Sequence, residues 1–256
     1  MAAFSGVPPA GQPVPPPIRR LAGGRPLRPV WLNQAGGLTF QIGTGPGRTF
    51  AKWAPAGSGL DLAGEATRMN WAARFTAVPR VLDLGSEPDG DWLHTAGLPG
   101  QNAVSARWRA DPATATAVIG RGLRHLHDTL PVVGCPFSWM VEDRLAAARD
   151  RAAAARSRIS AESRATLASA PPIDRLVVCH GDSCAPNTLI NDDGSLAGHV
   201  DLGAMGRADR WADLAVILWN LDFNYGPGWQ GALLDAYGVA PDPERIAYYR
   251  LLGGCG

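Results

Sequence analysis

The stretch LVVCHGDSCAPNTLINDDGSLAGHVDLG, residues 176–203, places several polar side chains directly after an apolar run. The run has the composition of a buried strand, and it delivers His180 and Asp182 at its end. Asn187 follows Asp182 by five residues, and Asp201 opens an Asp-Leu-Gly triplet. The fold and the chemistry of the whole chain can be worked out from these polar positions.

A β-hairpin is predicted between Asn187 and Asp201. Apolar segments at 188–190 and 196–200 flank the sequence Asn-Asp-Asp-Gly, which is a strong hairpin-turn signal. The open end of this hairpin would bring the amide oxygen of Asn187 and the carboxylate of Asp201 together. Hard oxygen ligands of this kind suit Mg²⁺.

The intervals are typical of phosphoryl transfer. In the kinase catalytic loop H-R-D-x-x-x-x-N, the same interval separates the base from a metal-binding Asn, and an Asp-x-Gly motif supplies a second metal ligand. Asp182 would then accept the proton of an attacking hydroxyl. An Asp in a turn usually caps backbone amides, so the prediction depends on the three residues together.

Composition excludes several classes of protein. The 256 residues are 46% hydrophobic, which is enough for a sizeable core in one large domain or two lobes. The net charge is +1, and no basic run with interleaved aromatic residues indicates a nucleic-acid surface. The four cysteines lack a paired spacing, so reduced thiols in the cytoplasm are expected rather than a disulfide framework or a zinc ribbon. The oligomeric state is left open.

No segment predicts a membrane association. Residues 1–29 are rich in Pro and Gly and lack a signal-peptide core, so we expect a mobile or extended arm. The apolar segment 211–221 is about half the ~20 residues that a spanning helix needs. It also carries Asp213 and Asn220, so we expect a buried helix.

The N-terminal half predicts a small β-sheet. Residues 38–42 and 49–53 flank a Gly-rich turn and form a predicted hairpin, and this turn lacks the lysine of a P-loop. Gly36 and Gly37 precede the hairpin. They form either a backbone flap over nucleotide phosphates or an ordinary turn. Further strands are predicted at 81–84 and 92–95.

Lys52 is the only lysine among 24 basic residues. A compact ammonium group fits against nucleotide phosphates where a guanidinium fork does not. Glu65 lies on a helix predicted over 61–73, and an ion pair between the two would orient the lysine. The alternatives are a chance surface lysine and an exposed helical glutamate.

From a hinge at 97–100 the chain is predicted to be mainly helical. Asp213 lies inside an apolar run and must find a partner, either by holding the catalytic loop or in an ordinary buried ion pair. Asp209 is the predicted N-cap of that helix. Asp222 is either a contact for an amine of the acceptor or an exposed helix-end carboxylate. The predicted helices cover 111–130, 141–169 (as two helices), 211–221, 229–237 and 244–252.

As an ordered set these motifs resemble the aminoglycoside phosphotransferases, especially the 3'- and 3''-phosphotransferase group, over residues 33–252. The motifs that carry the resemblance are Phe-Ala-Lys at 50–52, Gly-Glu-Ala at 64–66, Cys-Pro-Phe at 135–137, Val-Cys-His-Gly-Asp at 178–182, Pro-Asn at 186–187, Asp-Leu-Gly at 201–203, Gly-Arg-Ala-Asp-Arg at 206–210 and Tyr-Tyr-Arg-Leu-Leu at 248–252.

The resemblance implies an α+β, protein-kinase-like bilobal fold. It implies an N-terminal nucleotide-binding lobe at 1–96, with an antiparallel sheet and one helix, and a mainly helical catalytic and acceptor-binding lobe at 97–256. ATP and Mg²⁺ are the implied cofactors. The implied roles are phosphate binding by Lys52 with Glu65 behind it, catalytic base for Asp182, magnesium binding by Asn187 and Asp201, and adenine binding by backbone near Ala96 and Leu98.

Two departures from the family concern the acceptor. Related antibiotic kinases follow Asp-x-Gly with an arginine, whereas Ala204 stands here, and the chain ends without an acidic, aromatic tail. An aminoglycoside is the expected acceptor, and another hydroxylated metabolite or antibiotic is the alternative. A nucleotide-binding protein without turnover is a third interpretation, which the intact set of polar residues disfavours.

Overall fold

The computed structural model describes residues 6–9, 11–146 and 161–254. The chain forms two compact units, Met1–Pro99 and Gly100–Gly256, each with its own core. The division falls within the Gly-Leu-Pro-Gly segment at 97–100, three residues after the boundary predicted from the sequence. We call the two parts unit 1 and unit 2.

Unit 1 contains a five-stranded antiparallel sheet with the strand order β1-β2-β3-β5-β4. Its strands are β1 (Leu27–Leu32), β2 (Leu38–Ile42), β3 (Thr49–Pro55), β4 (Val81–Glu87) and β5 (Gly90–Ala96). On β2 the apolar residues Leu38, Phe40 and Ile42 are buried and alternate with half-buried ones, as expected for a strand with one face on a core. The predicted β2–β3 hairpin and the two further predicted strands are confirmed.

A helix that the sequence did not predict covers this core. Helix α1 (Pro16–Ala22) begins with a proline in its first turn and ends at Gly23, which has the left-handed conformation common after a helix. Ile18 is fully buried in a cluster with residues of β2 and β3. The expectation of a mobile or extended arm is therefore wrong for residues 16–22. The run of prolines suggested irregular backbone, whereas Pro is well accommodated at a helix start.

Helix α2 (Leu62–Ala72) lies between β3 and β4 in the chain. Its N-cap is Asp61, whose carboxylate accepts a hydrogen bond from the amide of Gly64 at 2.7 Å. The apolar stripe at Leu62, Ala66 and Met69 is buried, as the helical spacing predicts.

Unit 2 is mainly helical. Its helices are α3 (Ala106–Arg109), α4 (Pro112–Thr129), residues 141–146, α5 (Ala161–Ala168), α6 (Trp211–Tyr225), α7 (Gln230–Tyr237) and α8 (Pro243–Gly253). Asp111 caps α4 and Asp242 caps α8, and each is followed by a proline, which is well accommodated at a helix start. Of the two helices predicted over 141–169, the part at 147–160 lies outside the described residues.

Short strands in unit 2 hold the motif region. Strand β7 (Leu176–Cys179) pairs antiparallel with β10 (Gly206–Asp209). Strands β8 (Thr188–Ile190) and β9 (Leu196–His199) form the predicted hairpin, and β6 (Gln101–Asn102) extends it. The last residue of β7 directly precedes His180, so the strand fixes where the polar loop begins.

Helix α6 runs through the centre of unit 2, with nine of its residues buried. Arg210 occupies its N-cap position, so the prediction of Asp209 as the N-cap is wrong by one residue, although the Asp209 carboxylate does bind the first amide of the helix. Asp209 lies in β10, where its buried carboxylate accepts hydrogen bonds from the amides of Trp211 and Asp174. An acidic residue just ahead of an apolar run is expected at a helix N-cap, but the same sequence pattern is compatible with the end of a strand. Across the described ranges, no helix combines the length and apolarity needed to cross a bilayer.

Candidate active site

Lys52 and Glu65 form the predicted ion pair in unit 1. Lys52 Nζ lies 2.7 Å from Glu65 Oε1, and the side chains are 25% and 6% exposed. The pair forms because Lys52 is on β3 and Glu65 is in the first turn of α2. A carboxylate buried this deeply needs a cationic partner, so Glu65 fixes the direction of the lysine side chain.

The turn at 33–37 is closed by its own hydrogen bonds. The amides of Ala35 and Gly37 both donate to Asn33 Oδ1, and the amide of Gly36 donates to the Asn33 carbonyl. Gly36 has φ +82°, and a Cβ on Gly37 would lie 2.5 Å from Leu60. The two glycines are therefore required by the turn itself. The geometry of the turn explains them without any contact to phosphates.

Ala96 and Leu98 lie at the end of β5 and just beyond it. The amide of Ala96 donates to the Arg80 carbonyl, and the Leu98 carbonyl accepts from the Arg48 guanidinium. Two of the backbone groups in this short segment are thus engaged within unit 1.

In unit 2 the hairpin brings Asn187 and Asp201 to one end, as predicted. Thr188 pairs with His199, and the amide of Val200 donates to the Asn187 carbonyl at 3.0 Å. Asp201 has φ +65°, and it is the only non-glycine with positive φ in the described ranges. Such a backbone is costly for a residue with a Cβ and is found where function requires a particular side-chain direction.

Asp182 lies close to Asn187 and Cys184. Asn187 Nδ2 donates to the Asp182 carbonyl at 2.9 Å and to Oδ2 at 3.2 Å, while the Cys184 thiol donates to Oδ1 at 3.0 Å. Both carboxylate oxygens therefore have a donor that fixes their orientation. Since its nitrogen is used in this way, the amide of Asn187 keeps its oxygen for another partner.

His180 links the base to the strand that leads to Asp201. Its Nδ1 accepts from the Asp182 amide at 3.2 Å, and its Nε2 lies 3.0 Å from the Val200 carbonyl. These two partners require the neutral imidazole with the proton on Nε2. His180, which the sequence analysis placed only by its position in the motif, is thus a positioning residue.

Asp213 binds the backbone of the catalytic loop, which was one of the two predicted alternatives. Its carboxylate accepts from the amides of His180 at 2.6 Å and Gly181 at 3.0 Å, and from His127 Nε2 at 3.0 Å. Burial by itself raises the pKa of Asp213, but the hydrogen bond and charge of His127 hold that pKa below its ordinary value. The carboxylate therefore remains ionised in the core, where it fixes two loop amides.

Two residues of this support were missed by the sequence analysis. His127 of α4 is buried between Asp213 and the Tyr237 hydroxyl, which lies 2.8 Å from Nδ1. Asn220 accepts from the amide of Ala185 at 2.8 Å. A polar residue at helical spacing from Asp213 on an apolar helix was the available signal.

Asp222, the predicted contact for an amine, is exposed near the end of α6. Its carboxylate accepts from Gln230 Nε2 at 2.5 Å. The α-helix turns about 100° per residue, which places Asp222 roughly 160° around α6 from Asn220. It therefore lies near the side of the helix opposite to the catalytic loop.

The donors near the hairpin end fit Mg²⁺. The amide oxygen of Asn187 and the carboxylate of Asp201 are hard ligands, and two such groups suit an ion that keeps several waters and binds phosphates. The other candidate cluster in the described ranges is His127, Cys179 and Asp213. All three side chains are buried and hydrogen-bonded: His127 binds Asp213, and the Cys179 thiol donates to the Asp209 carbonyl. We therefore assign this cluster to the structural support of the catalytic loop.

Comparison with known proteins agrees with this geometry. The model of the phosphotransferase enzyme family matches residues 29–249. The chain belongs to the phosphotransferase enzyme family. The match begins two residues into β1 and ends within α8, so it includes both units of this phosphotransferase.

Two characterised relatives illustrate the similarity. The aminoglycoside 3'-phosphotransferase of Streptomyces fradiae is 32% identical over 247 residues, covering 86% of this chain and 91% of the relative. The streptomycin 3''-kinase of Streptomyces griseus is 34% identical over 230 residues, covering 78% of this chain and 82% of the relative. The resemblance inferred from the motifs is confirmed.

Solved structures confirm the fold class. An aminoglycoside 3'-phosphotransferase of type VIII has a TM-score of 0.74 at 31% identity and covers 92% of this chain and 96% of its own. An aminoglycoside phosphotransferase of Streptomyces rimosus in complex with ADP and streptomycin has a TM-score of 0.69 at 30% identity, covering 84% and 89%. This phosphotransferase thus has the α+β, kinase-like architecture predicted from its sequence.

Proposed function

We propose that this protein transfers the γ-phosphoryl group of ATP to a hydroxyl of an aminoglycoside. The observation that carries the proposal is the Asp182 carboxylate, which is oriented by Asn187 and Cys184 next to the hairpin end that carries Asp201. Relatives that act on aminoglycosides have the same fold, and one of them has been solved with ADP and streptomycin.

In the proposed reaction Asp182 accepts the proton of the acceptor hydroxyl, and the oxygen of that hydroxyl attacks the γ-phosphorus. The bond from that phosphorus to the bridging oxygen of ADP breaks, which leaves a phosphate ester, ADP and a protonated Asp182. Orientation and charge neutralisation supply most of the rate in such a transfer. The hydrogen bonds that fix Asp182 and the loop amides held by Asp213 provide the orientation.

The proposed metal ligands are Asn187 and Asp201. Mg²⁺ at these oxygens would neutralise phosphate charge during transfer. The proposed nucleotide contacts are Lys52, directed by Glu65, for the α- and β-phosphates, the turn with Gly36 and Gly37 for phosphate cover, and the backbone at Ala96 and Leu98 for adenine. In this scheme unit 1 contributes nucleotide binding and unit 2 contributes catalysis and acceptor binding.

We also propose that the protein is located in the cytoplasm. The cysteines at 135, 179 and 184 are free thiols, which suits a reducing compartment. The acceptor is proposed as a small molecule, since the sequence lacks the basic, aromatic surface of a nucleic-acid binder.

The test is phosphate transfer from ATP with Mg²⁺ across a panel of aminoglycosides, followed by mass spectrometry of the drug. An acceptor-free reaction measures bare ATP hydrolysis. A phosphorylated drug that forms faster than this background is the expected result. ATP binding without transfer to any drug would reject the aminoglycoside and favour another hydroxylated acceptor, for which Ala204 is the relevant departure.

A further inference from the structure

Helix α6 carries two large aromatic side chains in solvent. The rings of Trp219 and Phe223 are stacked, with centroids 6.3 Å apart and an interplanar angle of 12°. Trp219 is 40% exposed and Phe223 is 77% exposed. We call this pair the aromatic platform. Two stacked, exposed rings leave apolar surface uncovered, which favours a binding role over a purely structural one.

Phe223 is the ring of the aromatic platform nearer to Asn220, a residue of α6 that holds the catalytic loop. Phe223 is three residues, about 4.5 Å of helical rise, beyond Asn220, and it lies roughly 60° around the helix from it. Trp219 lies about 100° around in the same direction, between Phe223 and Asp222. Since Asn220 accepts from the amide of Ala185, this side of α6 borders the loop that contains Asp182.

The electrostatic character of the platform favours a cationic ring. The face of an aromatic ring carries a negative quadrupole that attracts ammonium groups, and sugar rings also present C–H faces to it. The platform lies in the last two turns of α6, where the helix dipole is negative. Asp222 lies between the two rings in sequence, which adds a carboxylate at the margin of the surface.

We propose that the aromatic platform is the acceptor-specificity surface, on which an amino-sugar or aminocyclitol ring stacks while its hydroxyl is presented to Asp182. The proposal deepens, and depends on, the proposed transfer to an aminoglycoside. It assigns the ring contact to Trp219 and Phe223 and places Asp222, which is bonded to Gln230 and turned away from the loop, at the periphery.

Calorimetric titration of streptomycin and of kanamycin into the full-length protein loaded with Mg-ADP tests the platform. We expect Phe223→Ala and Trp219→Ala to weaken binding of the drug by three- to tenfold, the range for a single aromatic contact. Phe223→Tyr should keep the affinity, and Phe223→Leu should lose it, because only the tyrosine retains a ring. Val133→Ala is the matched control, since Val133 is 92% exposed in the same unit.

The outcomes separate this proposal from the proposed function. In one outcome the wild-type protein binds and phosphorylates a drug, and the alanine variants bind that drug with the same affinity as the wild type. In that case the platform is not the acceptor surface, although the enzymatic function stands. If the wild type binds neither drug, the aminoglycoside acceptor and the platform proposal both fail. A change in sedimentation mass on Phe223→Ala, with unchanged drug affinity, would identify a contact between copies of the chain and reject the proposal. ADP affinity should be the same in all variants.

Discussion

Single side chains in the catalytic loop each satisfy two demands at once. Asn187 donates its amide hydrogens to Asp182 and keeps its oxygen, while His180 accepts from the Asp182 amide and donates to the Val200 carbonyl. A planar amide or imidazole has its donor and acceptor at fixed positions. Residue type at these positions therefore specifies geometry as well as charge.

Asp182→Ala should lower turnover by about 10²- to 10⁴-fold, the usual contribution of a general base. Binding of Mg-ATP should persist, since the proposed metal ligands Asn187 and Asp201 remain. Steady-state kinetics and calorimetry measure the two effects. Asp192→Ala is the matched control, because this aspartate of the β8–β9 turn is exposed. Unchanged turnover in Asp182→Ala would remove Asp182 as the base.

Lys52→Arg should weaken Mg-ATP binding by tenfold or more although the charge is kept. A guanidinium does not fit the place of a compact ammonium beside the buried Glu65. Fluorescence titration with a nucleotide analogue measures the effect. Arg68→Lys, on α2 in the same unit, serves as the reverse exchange and should leave binding unchanged. Equal affinity in Lys52→Arg would show that charge alone matters.

Packing between elements depends on small residues at close approaches. A Cβ on Gly120 of α4 would lie 2.6 Å from the Leu233 carbonyl of α7 and 2.9 Å from the Ala236 side chain. In contrast, a Cβ on Gly231 of α7 would meet nothing within 4 Å. Two glycines in helices thus have opposite environments.

Gly120→Ala should lower the free energy of unfolding by about 1–3 kcal/mol, because the helices must move apart to accept a methyl group. Gly231→Ala should raise it by about 0.5–1 kcal/mol, since alanine is the better helix former and has room. Urea denaturation followed by circular dichroism compares the two. Equal effects of the same sign would contradict the close contact of α4 with α7.

Helix α1 belongs to the core of unit 1. Ile18→Ala should cost about 2–4 kcal/mol of unfolding free energy, because Ile18 is fully buried against β2 and β3. Val7→Ala, at a residue 82% exposed, is the control and should have little effect. Denaturation monitored in the full-length protein measures both. A cost below about 0.5 kcal/mol for Ile18→Ala would restore the interpretation of this segment as an arm.

At the scale of the whole molecule, the burial of His199 makes stability depend on pH. Burial, together with the neighbouring His180 and His127, lowers the pKa of His199 to about 3, and the Gly122 carbonyl and Asp213 oppose this shift only in part. The unfolded chain takes up a proton near pH 6.5, whereas the folded protein does not until about pH 3. Stability from this residue is thus present above pH 6.5 and falls as the pH is lowered towards 3.

His199→Gln should therefore flatten the pH dependence. Between pH 7 and pH 5 the wild-type unfolding free energy should fall by about 2 kcal/mol more than that of the variant, following the linkage relation for one group. His125→Gln, at an exposed histidine of α4, is the control and should follow the wild type. Denaturation curves at several pH values measure the slope. Parallel slopes for wild type and His199→Gln would contradict a neutral buried His199.

The local features of this protein could be predicted because they depend on neighbours in the chain. The β8–β9 hairpin follows from the Asn-Asp-Asp-Gly turn, and the starts of α4 and α8 follow from Asp-Pro pairs. The Lys52–Glu65 ion pair could be inferred because the only lysine lies on a predicted strand and the glutamate lies on the next predicted helix, as in the kinase arrangement.

The errors arose where distant contacts decide. The prolines ahead of α1 indicated irregular backbone, but burial of Ile18 stabilises a helix. Asp209 was taken as a helix cap, but pairing of β10 with β7 places it in a strand. His127 was not identified as a support of the loop, because a sequence does not show which carboxylate lies on a neighbouring helix.

By itself the sequence determined the fold class, the family and the intervals of the chemical motif, because periodicity, turn residues and motif spacing are properties of a continuous chain. Only the tertiary structure decided which groups hold Asp182, that Asp213 binds the loop amides, and which side of α6 faces the loop. Hydrogen bonds and side-chain directions depend on contacts between residues far apart in sequence, which the folded packing alone establishes.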